Sequence, residues 1–264
     1  DGVAGYDYTT AGVLGLREVE RTYKQTFGYS LGYLHTGFEF KDNNESEEWV
    51  DTIQLGIHNK YKSNNWKLRN DLTGRVSFHN IDRNLDWPSP NSRSEMNGTY
   101  ETYSITSDNL LGKEISLGKN SSLTPYGGLR AMYVTRPAFS ESGLESLEID
   151  GNDAWSVKPR AGLELQTAIP LGSKSGWQLK GKLDFAYEYE LANLNEKEKA
   201  RLIAIEDGYH DLAKPEEENG QFKTRAVLGF EINERYGIFI NGEYTFGEHN
   251  QDEYRAGMTL KAIF

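Results

Sequence analysis

The last segment of the chain alternates to its final residue. Tyr254, Ala256, Met258, Leu260, Ala262 and Phe264 fall on one side, with Arg255, Gly257, Thr259, Lys261 and Ile263 on the other. A repeat of two is the signature of a β-strand, because successive side chains leave opposite faces. The pattern recurs upstream. Tyr236, Ile238, Ile240, Gly242, Tyr244 and Phe246 alternate with Phe239, Asn241, Glu243 and Thr245. Trp177, Leu179, Leu183, Phe185, Tyr187 and Tyr189 alternate with Gln178, Lys180, Lys182, Asp184 and Glu188. Phe222–Ile232, Trp155–Ile169 and Trp66–Phe78 repeat it. Strands are expected at 3–18, 22–40, 48–61, 65–80, 98–117, 121–135, 154–170, 176–190, 220–232, 236–247 and 252–264, with the register over 98–117 weakly specified.

Strands of a soluble sandwich usually run about 5–6 residues. These are long enough to cross a bilayer on a tilt. Trp49, Trp66, Trp155 and Trp177 each open a strand, where interfacial aromatic girdles belong. The expected fold is therefore all-β: an antiparallel, up-and-down transmembrane β-barrel of about 12 strands, 11 of them read in this chain, forming one domain over 1–264. A large soluble β-fold is the alternative.

The connections agree. Long polar ones cover 41–47, 81–97, 136–153 and 191–219; short ones fall at Val19–Arg21, Lys62–Asn64, Gly118–Asn120, Leu171–Ser175 and Asn233–Arg235. Only the brief link near Gly247–Gln251 breaks the alternation. Long loops on one rim and tight turns on the other are the outer-membrane pattern, with the long set extracellular. Within the last long loop, Leu191–Glu206 is compatible with a surface helix and equally with a solvated charged loop.

Composition changes the picture in three places. A mean hydropathy of -0.69 excludes a helical membrane protein but not a barrel, in which only alternate residues meet lipid. The net charge of -11 supplies no basic stripe for nucleic acid. The absence of Cys removes disulfides and thiolate chemistry. Asp1-Gly2-Val3 lacks the basic and apolar regions of a signal peptide, so the residues read as a mature form or a C-terminal fragment.

Catalytic chemistry finds no constellation. His35, His58, His79, His210 and His249 are scattered without metal-ligand spacing, and Gly-x-Ser-x-Gly is absent. Asp207-Gly208-Tyr209-His210-Asp211 reads as an acidic loop rather than a site. No enzyme, metal or cofactor is expected. With the apolar faces toward lipid, the lumen should be lined by Arg75, Arg130, Arg160, Glu164, Lys182, Asp184, Arg225, Glu231, Glu243 and Arg255, together with Arg69, Asp71, Lys158, Lys180 and Lys261. Both signs are interspersed, which braces neighbouring strands and keeps a channel wet without tight binding of one cargo.

Three stretches carry a family resemblance. Ala226–Ile232, Tyr236–Gly247 and Tyr254–Phe264 resemble the closing strands of the monomeric (type V) autotransporter β-domain. Leu123-Thr-Pro-Tyr-Gly-Gly-Leu129 is similar to that family's LTPYAGL strand, and Gly5-Tyr-Asp-Tyr-Thr-Thr10 to its GYDYxTxG opening. The resemblance implies a 12-stranded barrel, integral to the bacterial outer membrane, that exports and anchors its own N-terminal passenger without ATP or cofactor. It implies as partners the outer-membrane lipid bilayer, periplasmic chaperones and the assembly machinery, which would read an aromatic ending at Tyr254 and Phe264. The family's first strand and the lumen helix before it have no counterpart here, so no self-cleavage residue is carried over. The functional alternative is a monomeric 12-stranded porin for small solutes; a surface adhesin or anchor is a third.

A parity argument closes the reading. Eleven strands place the first and last parallel, and an antiparallel ladder cannot close that way. A further upward strand before Asp1 is expected, and this chain alone should show a gap or a parallel contact at the seam.

Overall fold

The computed structural model describes residues 5–42, 44–86, 93–172, 176–191, 197–205, 208–212, 219–247 and 252–262. In chain order the strands are β1 (Tyr6–Thr22), β2 (Gln25–Phe40), β3 (Glu47–Ser63), β4 (Trp66–Asp86), β5 (Arg93–Lys113), β6 (Ile115–Ser116), β7 (Ser121–Arg136) and β8 (Phe139–Ser142). They continue as β9 (Leu147–Ile149), β10 (Asn152–Pro170), β11 (Trp177–Tyr189), β12 (Lys199–Leu202), β13 (His210–Asp211), β14 (Gly220–Ile232), β15 (Tyr236–Gly247) and β16 (Glu253–Ala262). Eleven of them form one curled antiparallel wall in the order β1-β2-β3-β4-β5-β7-β10-β11-β14-β15-β16. Each wall strand pairs with the next in sequence, as hairpins dictate.

Turn chemistry sets the register. Asn64 and Asn65 take φ of 49° and 66° between Ser63 and Trp66, a two-residue connection with both centres left-handed. That conformation matches strand twist and favours Asn. Asn233 and Glu234, with φ of 50° and 60°, serve the β14–β15 hairpin.

The apolar side chains point the wrong way for a soluble protein. Among the described residues only Val50, Met96, Ile149, Ala186 and Ala200 are buried apolar groups. Leu31, Leu55, Leu228, Ile240, Met258 and Leu260 are between 50% and 72% exposed, all on the outward face. The expected lipid-facing sets are confirmed in register: Leu228 stands opposite Ile240, and Ile240 opposite Met258. Lipid supplies the apolar surroundings that a core otherwise would.

Two expectations are corrected and two open readings are resolved. β1 runs on to Thr22, so the first turn is at Tyr23–Lys24 rather than Val19–Arg21. The stretch 81–97 is mostly strand: β4 and β5 keep one register from Trp66↔Lys113 to Asp86↔Arg93, with 87–92 outside the described residues. The same ladder fixes the register over 98–113, where Thr and Ser blurred the alternation. No helix forms in 191–206 among the described residues; Lys199–Leu202 is a strand because it finds an edge to pair with in β9.

That pairing builds an annex above the rim of the long connections. β8 continues alongside β5 past the end of β7, β9 pairs with β8, and β12 joins β9 and β13. Met96, Ile149 and Ala200 are buried here. On its surface, Arg201 donates to Glu148 at 2.6 Å and Tyr209 donates to it at 2.8 Å. These bonds, Arg201 first, hold the Glu148 carboxyl below its ordinary range.

The wall does not close on itself. Among the described residues β1 pairs only with β2 and β16 only with β15, and the two free edges run parallel. Yet they approach: Tyr8 of β1 interacts with Glu253 and Arg255 of β16. The expected gap at the seam is present.

Placing Arg at Leu228 or Ile240 should destabilise the folded wall by about 2–4 kcal/mol. Arg at Asn241 or Thr259, on the opposite face, should cost much less. Denaturant titration in detergent micelles measures both, and equal costs would mean the faces are reversed.

Candidate functional site

The concave face of the wall is ionic. At its middle, Asp108 (β5), Arg130 (β7), Arg160 (β10), Glu188 (β11) and Lys223 (β14) meet across five consecutive wall strands. Arg130 lies 3.0 Å from Asp108 and 3.4 Å from Glu188. Arg160 also bridges the two carboxylates, in contact with Asp108 and 3.2 Å from Glu188. Lys223 reaches Glu188 at 2.8 Å. Glu188 is 1% exposed and is a charge that only such a cluster can hold. Several of these contacts skip a strand, so they tie the wall laterally in addition to its ladder.

A second layer lies nearer the short turns. Glu231 takes Lys180 and, at 2.7 Å, Lys261, linking β11, β14 and β16. Lys182 pairs with Glu164. Tyr126 of β7 passes over Gly162 of β10 to donate to Asp184 of β11 at 2.7 Å. A Cβ on Gly162 would stand 2.5 Å from that ring, so glycine is what lets the tyrosine cross. Glu164, Lys182, Asp184 and Tyr126 line a cavity of about 520 Å³ whose far side is Glu20, Lys60 and Arg69 from the first strands. Side chains from β1 and β11 thus face each other across open space.

Toward the long connections the chemistry becomes aromatic. His79 stacks on Tyr100, and Tyr100 on Phe139, each with centroids 4.3 Å apart. Arg136 sits over both Tyr100 and Phe139. Glu48 accepts from Tyr100 at 2.6 Å and lies 2.7 Å from His79. Arg83 pairs with Glu141 at 2.6 Å, fastening β8 to the wall.

All ten lumen candidates lie on this one face. Arg130 and Arg160 meet in the central cluster, while Glu164, Lys182, Asp184 and Glu231 lie in the lower layer. Arg255 sits 2.6 Å from Glu253 and 3.6 Å from Glu243. Arg75 donates only to Gln54, at 2.8 Å. Arg225 stands between Asp184 and Glu243 in register, and makes no ion pair among the described residues. Sequence reasoning missed Asp108, Glu188 and Lys223 as a unit. Opposite charges at paired positions on the polar side were the available signal, and the blurred alternation of β5 hid Asp108. Of the two assembly-signal residues, Tyr254 stacks on Tyr244 at the outer rim, with centroids 4.6 Å apart; Phe264 lies outside the described residues.

Comparison with known proteins accounts for this arrangement. The Autotransporter beta-domain family matches residues 1–243. No characterised protein sequence matches the chain. Among solved structures it is similar to the translocator domain of autotransporter NalP from Neisseria meningitidis, with a TM-score of 0.71 at 17% identity, covering 99% of this chain and 82% of that one. The beta domain of the Bordetella autotransporter BrkA gives 0.64 at 12% identity, covering 98% and 92%. The transport unit of AIDA-I from Escherichia coli gives 0.57 at 11%, covering 98% and 84%.

Removing a partner from the central cluster should be costly, because it leaves buried charge uncompensated. Glu188→Ala is expected to lower stability by about 3–5 kcal/mol, read from urea unfolding in micelles. A loss no larger than for an exposed carboxylate such as Glu45→Ala would show that the cluster does not brace the wall. With its curled wall, ionic inner face and apolar outer face, the chain belongs to the autotransporter β-domain family.

Proposed function

We propose that this β-domain sits in the outer membrane with its long connections extracellular and passes an N-terminal passenger through the lumen bounded by the ionic face. The observation that carries the reading is the match to the autotransporter β-domain over residues 1–243, and the seam supports it. β1 and β16 present unpaired edges that run parallel and stand close enough for Tyr8 to interact with Glu253 and Arg255. Unpaired N–H and C=O groups in hydrocarbon cost several kcal/mol each. One antiparallel strand between the edges satisfies both, and it must ascend from the short-turn rim. A chain that supplies this strand from upstream has to begin it at the periplasmic mouth. In an autotransporter its preceding residues are the passenger, whose route from that mouth to the cell surface is the lumen.

The lumen residues have supporting roles in this reading. Arg130 and Arg160 brace the wall through Asp108 and Glu188. Arg75 and Arg225, without carboxylate partners among the described residues, keep the passage wet and cationic. Alternating signs elsewhere leave no single strong trap for a moving chain. Tyr254, near the start of the last strand, and the terminal Phe264 are the aromatic feature that the assembly machinery recognises, with chaperones holding the unfolded barrel before insertion. The domain itself acts as a conduit; any catalysis belongs to the passenger.

A reporter domain fused ahead of the barrel tests the reading. It should become accessible to protease on intact cells while the barrel shows heat-modifiable gel mobility. A correctly folded barrel with its reporter retained in the periplasm would refute transport. In the same experiment, protease should cut within Glu45–Glu48 and spare Leu171–Ser175; the reverse would invert the topology.

A further inference from the structure

The outward faces of the two rims carry opposite charge. At the rim of the long connections, Asp7, Glu39, Glu47 and Asp82 stand in register across β1 to β4. At the short-turn rim the outward strand positions Arg17, Arg21 and Lys113 are positive, and further cations stand in the connections. Arg17 and Arg21 lie near the end of β1, Lys24 in the first turn, Lys113 at the end of β5, Lys119 before β7 and Arg235 before β15. None of these six forms an ion pair among the described residues. Cations elsewhere on the wall are mostly paired.

Three of them rest on aromatic rings of the same rim. The Arg21 guanidinium lies 5.1 Å from the Phe27 ring centroid, the Lys24 ammonium 5.2 Å from that of Tyr23, and Lys113 5.8 Å from that of Trp66. Tyr23 is 91% exposed and Trp66 48% exposed, so neither ring is part of a protein core. Two of the rings face outward at the lower edge of the apolar band: Phe27 shares its face with Leu31, and Trp66 pairs with Lys113 beside Leu111, while Tyr23 and Lys24 stand in the first turn at the mouth of the lumen cavity. A cation with its stem on an aromatic ring at that height holds its charged end where lipid phosphates lie. Among the described residues no carboxylate pairs with any of the three; Glu114, beside Lys113, is held by Lys62 and Lys67. A zwitterionic headgroup offsets its phosphate with its own ammonium, whereas an anionic headgroup does not, and polybasic surfaces favour the latter.

We propose that the short-turn rim is a collar for anionic phospholipid headgroups, with Arg21, Lys24 and Lys113 on their aromatic rests as its core and Arg17, Lys119 and Arg235 completing it. The collar would hold the barrel at a fixed depth in an anionic leaflet and resist tilting, since three of its cations are anchored to rings. Only its assignment to the periplasmic leaflet rests on the topology proposed above; the lipid preference follows from the rim itself.

The full-length protein in neutral detergent provides the test, read as the midpoint of heat-modifiable gel mobility with phosphatidylglycerol or phosphatidylcholine added. Phosphatidylglycerol should raise the midpoint by about 3 °C or more over phosphatidylcholine, an increment that high salt abolishes. The triple variant Arg21→Gln, Lys24→Gln, Lys113→Gln should keep its midpoint in phosphatidylcholine and lose the increment. Equal midpoints in the two lipids, or an increment that survives in the triple variant, would overturn the proposal. Should the variant fail to fold, the unaltered protein still decides the matter: an increment that persists in high salt excludes a headgroup collar. Because the measurement is made in micelles, it is indifferent to which rim faces the periplasm.

Discussion

Every backbone N–H and C=O in a membrane must find its partner within the protein, and the rest of this structure depends on that requirement. It explains the length of the wall strands, from 10 residues in β16 to 21 in β4 and β5. It explains why each strand pairs with its sequence neighbour, because a hairpin satisfies half of a strand's groups with the least loop. It also makes the seam the most consequential feature of the molecule. Ten ladders are satisfied between eleven wall strands, and two edges are not. No side-chain contact can substitute, since Tyr8 reaching Glu253 and Arg255 leaves the main-chain groups of both edges unpaired.

With the outer face assigned to lipid, the polar residues have one place left to go. Charges on the concave face are close to one another and partly shielded from water, so they must be paired there. The result is a lattice with contacts such as Arg130–Glu188 and Arg160–Asp108 that reach beyond adjacent strands. Such a lattice adds little net stability compared with apolar packing, but an apolar lumen would collapse or bind whatever entered it. Pairing the charges with each other keeps the surface hydrophilic while leaving few of them free to hold a passing chain. The same logic places Gly162 beneath Tyr126: the wall's inner surface is shaped by crossing side chains rather than by a core.

The strands, the faces and the alternation of loop lengths were legible in the sequence, because period-two patterning is strict wherever one face meets lipid. Leu228 and Ile240 could be assigned outward, and Arg225 and Glu243 inward, from alternation alone. Where both faces are polar the signal failed. β5 carries Thr102, Ser104, Thr106 and Asp108 inward against Glu101, Tyr103, Ile105 and Ser107 outward, and its register became visible only through pairing with β4. The extension of β4 and β5 beyond the bilayer was equally hidden. Above the membrane no lipid enforces alternation, and the strands persist because β8 and the opposing hairpin partner supply hydrogen bonds. The helix considered for Leu191–Glu206 was outcompeted for the same reason: a free edge on β9 outweighs the local preference of a charged segment.

Parity sets the polarity of any strand that completes this wall. An odd number of strands from an up-and-down hairpin series leaves its two ends parallel, and parallel neighbours cannot be joined by one more hairpin. A single strand running opposite to both has the polarity to pair with each edge. That strand must come from the same rim at which β1 and β16 end, the rim of the short turns. A chain descending through the lumen from the far side would arrive at that rim, turn, and fill the seam with the required polarity. A chain whose preceding residues lie at the cell surface can reach that rim only through the lumen, because any other path crosses lipid with its backbone unpaired. The open edges therefore fix the rim from which a completing strand starts and the direction in which it runs.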